Sequence, residues 1–193
     1  MEQTPKPRLF MALLGCRPPG RLTEQHDIFF GIAASLKELV PYMQQSWPEG
    51  KQNLHLDAWR EVTQVEGYEV QVQEKTAEEQ MPGSRRLFFL NLGGYKHGEF
   101  EEYHYKLLLS AQNSGDAIRE AKATAFFQHT GFKGAVSHID DKYGVDVDEV
   151  YEIAEILAPV FKERYAVTLV PLEGVSEPDA VHLGYQPLWK IKE

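Results

Sequence analysis

Histidine and an acid recur two residues apart at four places in this chain. Glu24 pairs with His26, and Glu102 with His104 repeats the pair 78 positions later; His55 with Asp57 has the same spacing, as does His138 with Asp140. In a strand, residues two apart project from one face, so each pair presents an imidazole beside a carboxylate. If the strands that carry them are neighbours, each half of the chain gathers two His, one Glu and one Asp. That set suits a divalent metal ion, or a general acid paired with a general base. Two other readings compete. Each histidine is held by a carboxylate and a backbone carbonyl at a strand end and stabilises the fold, or the set forms a metal-free site for a ligand or partner. Trp59 falls on the face of His55 and Asp57, opposite Leu54, Leu56 and Ala58, and either extends a ligand surface or packs under a second layer.

The repetition reaches beyond these residues. Residues 8–26 align without a gap on residues 86–104, with identities at Arg8/Arg86, Leu9/Leu87, Phe10/Phe88, Leu14/Leu92, Gly15/Gly93, Gly20/Gly98, Glu24/Glu102 and His26/His104. About one chance identity is expected in so short a window. The match resumes further on, now 83 positions apart, with His55/His138, Asp57/Asp140, Val62/Val145, Glu66/Glu149, Tyr68/Tyr151 and Glu69/Glu152. The chain therefore reads as a tandem duplication.

Each copy predicts strand, turn, strand, helix and hairpin. The runs LFMALLG and LFFLNLGG are β-rich and end at glycine, and Gly15 with Gly20, like Gly93 with Gly98, brackets a tight connection in which one position needs positive φ. Ser35 and Glu38 predict a capping box, and Asn113 with Asp116 keeps the same logic. Leu36, Leu39, Val40, Met43 and Trp47 form one helical face, matched by Ala117, Ile118, Ala121 and Ala125; Pro41 should kink or shorten the first helix. LHLDAWREV and GYEVQVQ alternate around QVEG as a hairpin, with SHIDDKYGV and VYEIAEI as counterparts. The expected fold is α+β: two ββαββ units at residues 8–73 and 86–157, related by a pseudo-twofold axis, with helices on one side of antiparallel sheet. Residues 74–85 form a linker, and residues 158–193 are an extension that adds strands.

Composition narrows the function. Of 193 residues 42% are apolar, enough for a core, and a net charge of −9 opposes duplex DNA, whose binding leans on phosphate neutralisation. A single cysteine, Cys16, excludes an internal disulfide and a multi-cysteine metal site, as in a reducing compartment. Its neighbours Arg17 and Arg21 would lower a thiol pKa, but Gly94 stands at the matching position, so the thiol reads as incidental. No apolar run is long enough to span a membrane and the polar start is not a secretory signal, so a cytoplasmic location is expected. DDKYGVDVDE does not fit a calcium-binding EF-hand and reads as a solvated loop; LGGYKHG is neither a dinucleotide fingerprint nor a phosphate loop. Nucleophile-elbow, HExxH and CxxC motifs are absent.

The blocks LFM-x-LLG and LFFLNLGGY-x-x-G-x-F-x-E-x-H, followed by SHIDDKYGVDVDEVYEI, resemble an uncharacterised bacterial family, domain of unknown function 1543, which carries its domain in one or two copies. The resemblance covers nearly all of residues 8–173 and implies no activity. The leading expectation is a cytoplasmic small-ligand-binding or protein-interaction module without a cofactor. Its rival is a metal-dependent hydrolase that uses the duplicated His, Glu and Asp sets around a divalent metal. The partner is a small molecule or a protein, with a homodimer open, and neither nucleic acid nor a membrane.

Overall fold

Short runs of branched and aromatic residues bounded by glycine or proline favour extended chain. The computed structural model describes residues 6–50, 53–76, 84–95, 98–123, 146–174 and 177–192, and among these it builds ten strands. They are β1 (Arg8–Cys16), β2 (Gln25–Ala33), β3 (His55–Glu61), β4 (Gln64–Val65), β5 (Tyr68–Glu74), β6 (Arg86–Tyr95), β7 (Glu102–Ala111), β8 (Asp146–Glu152), β9 (Tyr165–Pro171) and β10 (His182–Pro187). All their pairings are antiparallel, and the fold is α+β as expected. The chain divides into two compact units, one of Met1–Glu79 with Leu157–Glu193 and one of Gln80–Ile156.

In the first unit a four-stranded sheet runs in the order β10-β3-β1-β2, and a smaller sheet runs β4-β5-β9. Leu9, Phe10, Ala12 and Leu14 of β1 are buried, together with Leu39 and Met43 from the segment after β2. That segment begins at Ser35, which is extended, continues as a 3-10 turn over Leu36–Leu39, and becomes helix α1 (Val40–Ser46) with Pro41 in its first turn. Proline is tolerated there because the first N–H groups of a helix have no intrahelical partner. Pro41 thus shortens the helix rather than kinking it. The expected capping box does not form: the Ser35 hydroxyl donates to Glu38 at 3.4 Å, and Glu38 accepts instead from the Ala34 N–H at 3.3 Å. Trp47 ends the helix and is partly exposed rather than core.

The QVEG segment is a hairpin turn, with Glu66 and Gly67 both at positive φ, but it joins β4 to β5. The expected pairing of β3 with β5 is wrong. β3 lies between β1 and β10, and β5 pairs with β9, so strands of the C-terminal extension supply the partners that the hairpin was expected to provide. The chain leaves the first sheet just after Val62, whose N–H donates to the Leu9 carbonyl; Thr63 is then held by Asp179, which accepts from its N–H at 3.0 Å. The extension therefore adds strands, as expected, and it adds them to the first unit.

The second unit has a sheet in the order β7-β6-β8 over a core of Phe88, Leu90, Leu92, Leu109, Ala111, Ala117 and Ala121. Helix α2 (Ser114–Lys122) supplies the last two, and Asn113 caps it by accepting the Asp116 N–H at 3.0 Å. Ala125 lies outside the described residues.

Strand register corrects the match between the two halves. In the first unit Gly15 faces His55, Leu14 faces Leu56 and Leu13 faces Ala58; in the second Gly93 faces Asp146, Leu92 faces Val147 and Asn91 faces Glu149. Each third strand carries one extra residue at the same step, Asp57 in one and Asp148 in the other. β8 therefore corresponds to β3 at a distance of 91 positions, from 55 to 146, instead of 83. The ends agree: Arg8 pairs with Glu61 at 2.6 Å and Arg86 with Glu152 at 2.8 Å. His138 and Asp140 lie outside the described residues, and VYEIAEI is strand only as far as Glu152, with a helical turn over Ile153–Ile156. The alternating valines and acids of VDVDEVYE offer several registers to a sequence alignment, and only strand pairing separates them. Among the described residues no helix is long and apolar enough to cross a membrane.

Candidate metal centre

Gly15 makes the site possible. It occupies the central strand with His26 opposite on β2 and His55 opposite on β3, so two imidazoles flank a position without a side chain. A Cβ there would lie 2.6 Å from His55 Nε2 and closer still to Asp57 Oδ2. The bulge on β3 leaves Asp57 unpaired in the ladder, and bulges re-aim the side chain they carry. Glu24, the residue before β2, completes the group.

The four side chains converge. His26 Nε2 stands 3.0 Å from Asp57 Oδ2 and 3.8 Å from Glu24 Oε2; His55 Nε2 stands 3.1 Å from Glu24 Oε1 and 3.4 Å from Asp57 Oδ1. Glu24, His55 and Asp57 each bring one ligand atom within 4.8 Å of the others. The His55 side chain is 5% exposed and that of Asp57 23%, whereas Glu24 and His26 keep 47% and 42% of their surface. The cluster thus has a buried floor and a wet rim.

His55 is oriented on two sides. Its Nδ1 donates to the Asn53 carbonyl at 3.0 Å, because a carbonyl can only accept, and its ring lies 4.3 Å from that of Tyr185 on β10. In the neutral ring this leaves a lone pair on Nε2. That nitrogen is buried and makes no hydrogen bond among the described residues, and neither does Asp57 Oδ2, although each has an opposite group at 3.0–3.4 Å. Close approach without hydrogen-bond alignment leaves these atoms free to share a third partner. Two donors about 2.1 Å from one metal ion lie about 3.0 Å apart at a right angle and about 3.4 Å apart at the tetrahedral angle.

The other expected residues divide. Trp59 is partly buried with its ring stacked on His182 at 4.0 Å, so its face is already covered. In the second unit His104 Nε2 lies 3.5 Å from Asp148 Oδ2 and 3.9 Å from Glu102 Oε2, and these three exposed residues form a second group of possible ligands. Gly93 makes room there too, since a Cβ would lie 2.9 Å from Asp148 Cγ and Oδ1. Sequence reasoning assigned Asp148 to a solvated loop and missed the roles of Gly15, Gly93, Asn53 and Tyr185. The signal was present for three of these five: both glycines are repeated, and Asp148 lies in the valine–acid alternation of VDVDEVYE. Cys16 is buried, and burial chiefly, with Glu24 and Glu49, pushes its thiol pKa up. This corrects the expectation from Arg17 and Arg21 and leaves an inert thiol.

A family model described as Domain of Unknown Function (DUF1543) matches residues 21–72, the segment that carries Glu24, His26, His55, Asp57 and Trp59. The chain is also similar to a solved structure, the crystal structure of a protein Il1583 from Idiomarina loihiensis, at 26% identity over 95% of this chain and 99% of that one, with a TM-score of 0.60. No curated protein matches.

Proposed function

We propose that the protein binds a divalent transition-metal ion at Glu24, His55 and Asp57, with His26 beside Asp57 at the rim, and that this binding underlies its role. The observation that carries the reading is His55: a nitrogen in a side chain 95% buried, fixed from behind by Asn53 and aimed at two carboxylates to which it makes no hydrogen bond. Buried polar atoms ordinarily have a partner, and one bound cation would satisfy His55 Nε2 and Asp57 Oδ2 together. Two imidazoles with two carboxylates form a mixed donor set that suits zinc, manganese, iron, cobalt or nickel better than magnesium or calcium. The hydrogen bond from His55 to Asn53 is the outer support that metal-binding histidines generally have.

The wet rim favours a second reading, in which water on the ion makes the protein a metal-dependent hydrolase. We further read the two units as tandem copies of one domain in a bacterial, cytoplasmic protein, supported by the shared strand register, the repeated glycines and the single buried thiol.

The test is direct. Untagged protein purified without chelator should contain metal in simple ratio to chain. Adding Zn²⁺, Mn²⁺ or Ni²⁺ to stripped protein at a hundred times its dissociation constant should stabilise it by about 2.7 kcal/mol, or roughly 5–11 °C in Tm. His55→Ala should abolish the shift. No metal and no shift in the unaltered protein would exclude the reading.

A further inference from the structure

The second unit repeats the bulge, the glycine and the acids of the first without its buried histidine. Register places Gly93, Glu102, His104 and Asp148 where the first unit has Gly15, Glu24, His26 and Asp57, and Asp146 holds the position of His55. Glu102, His104 and Asp148 each bring one ligand atom within 4.8 Å of the others. A Cβ on Gly93 would lie 2.9 Å from Asp148 Cγ, so the glycine clears the floor beneath that carboxylate. The neighbouring stretch of the same face has diverged. Leu13, Ile28 and Ala58 are apolar in the first unit, and their counterparts by register are Asn91, Lys106 and Glu149. Asn91 Nδ2 donates to Glu149 Oε2 at 2.8 Å; a carboxylate only accepts, so Oδ1 is left as the acceptor of the amide. That oxygen is buried and has no hydrogen-bond partner among the described residues. Asn91 and Gly93 stand two apart on β6 and share a face.

We infer that the second unit binds a divalent metal ion of its own, held by Glu102, His104 and Asp148, with Asn91 as its outer support. The inference uses no side chain of the first-unit site and so goes beyond the reading above. All three ligands are exposed, so the ion keeps water on its open sides, and water on an ion is the donor that a buried acceptor such as Asn91 Oδ1 requires. One imidazole with two carboxylates and water suits Mn²⁺. The site lacks a buried, pre-oriented imidazole. It should therefore bind more weakly than the first unit, by more than the 10–100-fold typical of losing an outer support alone, and stay at most half filled in the melting test above.

The experiment titrates the stripped full chain with Mn²⁺ and follows the free ion by electron paramagnetic resonance, with circular dichroism to check that each variant is folded. Two ions per chain, bound in a tight and a weak step, are expected. His55→Ala should lose the tight step and keep the weak one, whereas His104→Ala or Glu102→Gln, both at exposed positions, should do the reverse. Asn91→Leu should weaken the second step by about 10–100-fold; an unchanged step would overturn its role as outer support. A weak step missing from the unaltered protein and from His55→Ala would overturn the second site. So would one that survives both His104→Ala and Glu102→Gln, since surface carboxylates would then be binding the ion without a defined site. A weak step without a tight one in the unaltered protein would overturn the first-unit reading and leave this one standing.

Discussion

Gly15→Ala tests whether the space over β1 exists for the cluster or is an accident of strand packing. The added Cβ would sit 2.6 Å from His55 Nε2, where ordinary contact begins near 3.4 Å, and closer still to Asp57 Oδ2. Asp57 can rotate, because its carboxylate is the free end of a side chain. His55 cannot, because Asn53 holds its far nitrogen and Tyr185 lies against its ring. One or both groups must therefore shift by roughly 0.8 Å, and metal sites tolerate only about 0.2 Å in ligand distance. The overpacking should cost about 1–3 kcal/mol of stability, or roughly 2–12 °C in Tm. Metal affinity should fall by more than the 10–100-fold typical of losing an outer support, because first ligands are displaced. Isothermal titration with Zn²⁺ gives the affinity, and melting of the stripped protein gives the cost in stability. A variant that binds metal with unaltered affinity would refute the assignment of Gly15 as the floor of the site, whatever its melting temperature.

Further predictions follow from single features. His26→Gln and His55→Gln share Glu24 and Asp57 as partners, so their effects on stability should depart from additivity by about 0.5 kcal/mol or more in a double-mutant cycle; additive effects would separate the two histidines. Asn113→Ala removes a cap bond and should cost about 0.5–2 kcal/mol in denaturant unfolding, whereas Ser35→Ala, which breaks no bond to a backbone N–H, should cost less. Cys16 should resist thiol reagents in the native protein and react on unfolding. Its thiol pKa is raised above 9.0 in the folded state, so its contribution to stability is present below pH 9 and lost as pH rises through the folded value, and melting curves between pH 8 and 10.5 should show the decline.

Much of the polar cluster was legible because chemistry was repeated at fixed spacing. Glu24 with His26 and His55 with Asp57 followed from period-two reasoning, and the structure brings all four together because Gly15 pairs with both histidines. Trp59 followed from the same face but is occupied by His182, a residue 123 positions away that no local pattern links to it. In the second unit Asp148, which the sequence did not single out, holds the bulge position that Asp57 holds in the first, and Asp140 lies outside the described residues. Two alternations of valine and acid compete for the same strand, and the choice between them is made by hydrogen bonding to β6, which is non-local. The β3–β5 hairpin failed for a related reason: a correct turn at Glu66–Gly67 says which residues are adjacent at the bend, not how far each strand stays in the sheet. Ser35 shows the limit of cap motifs. Its spacing to Glu38 was right, but the acid bonded the residue before the cap.

The first unit is discontinuous, closed by strands that lie beyond the second unit in the chain. At the ribosome this imposes an order of events. At a synthesis rate of roughly 5–20 residues per second, several seconds separate the emergence of β5 from that of β9. Until then β3 has an open edge where β10 will pair, and the ring of His55 lacks Tyr185. The nascent chain thus presents His55 and Asp57 before the fold that gives them their geometry exists, while the second unit, whose strands lie in one continuous stretch of chain, can already close. If the cluster holds an ion, loading in the mature arrangement waits for β10 to pair with β3 rather than guiding the first half of folding. The exposed edge of β3 during that interval is where a nascent chain of this protein would meet a chaperone or a neighbouring strand.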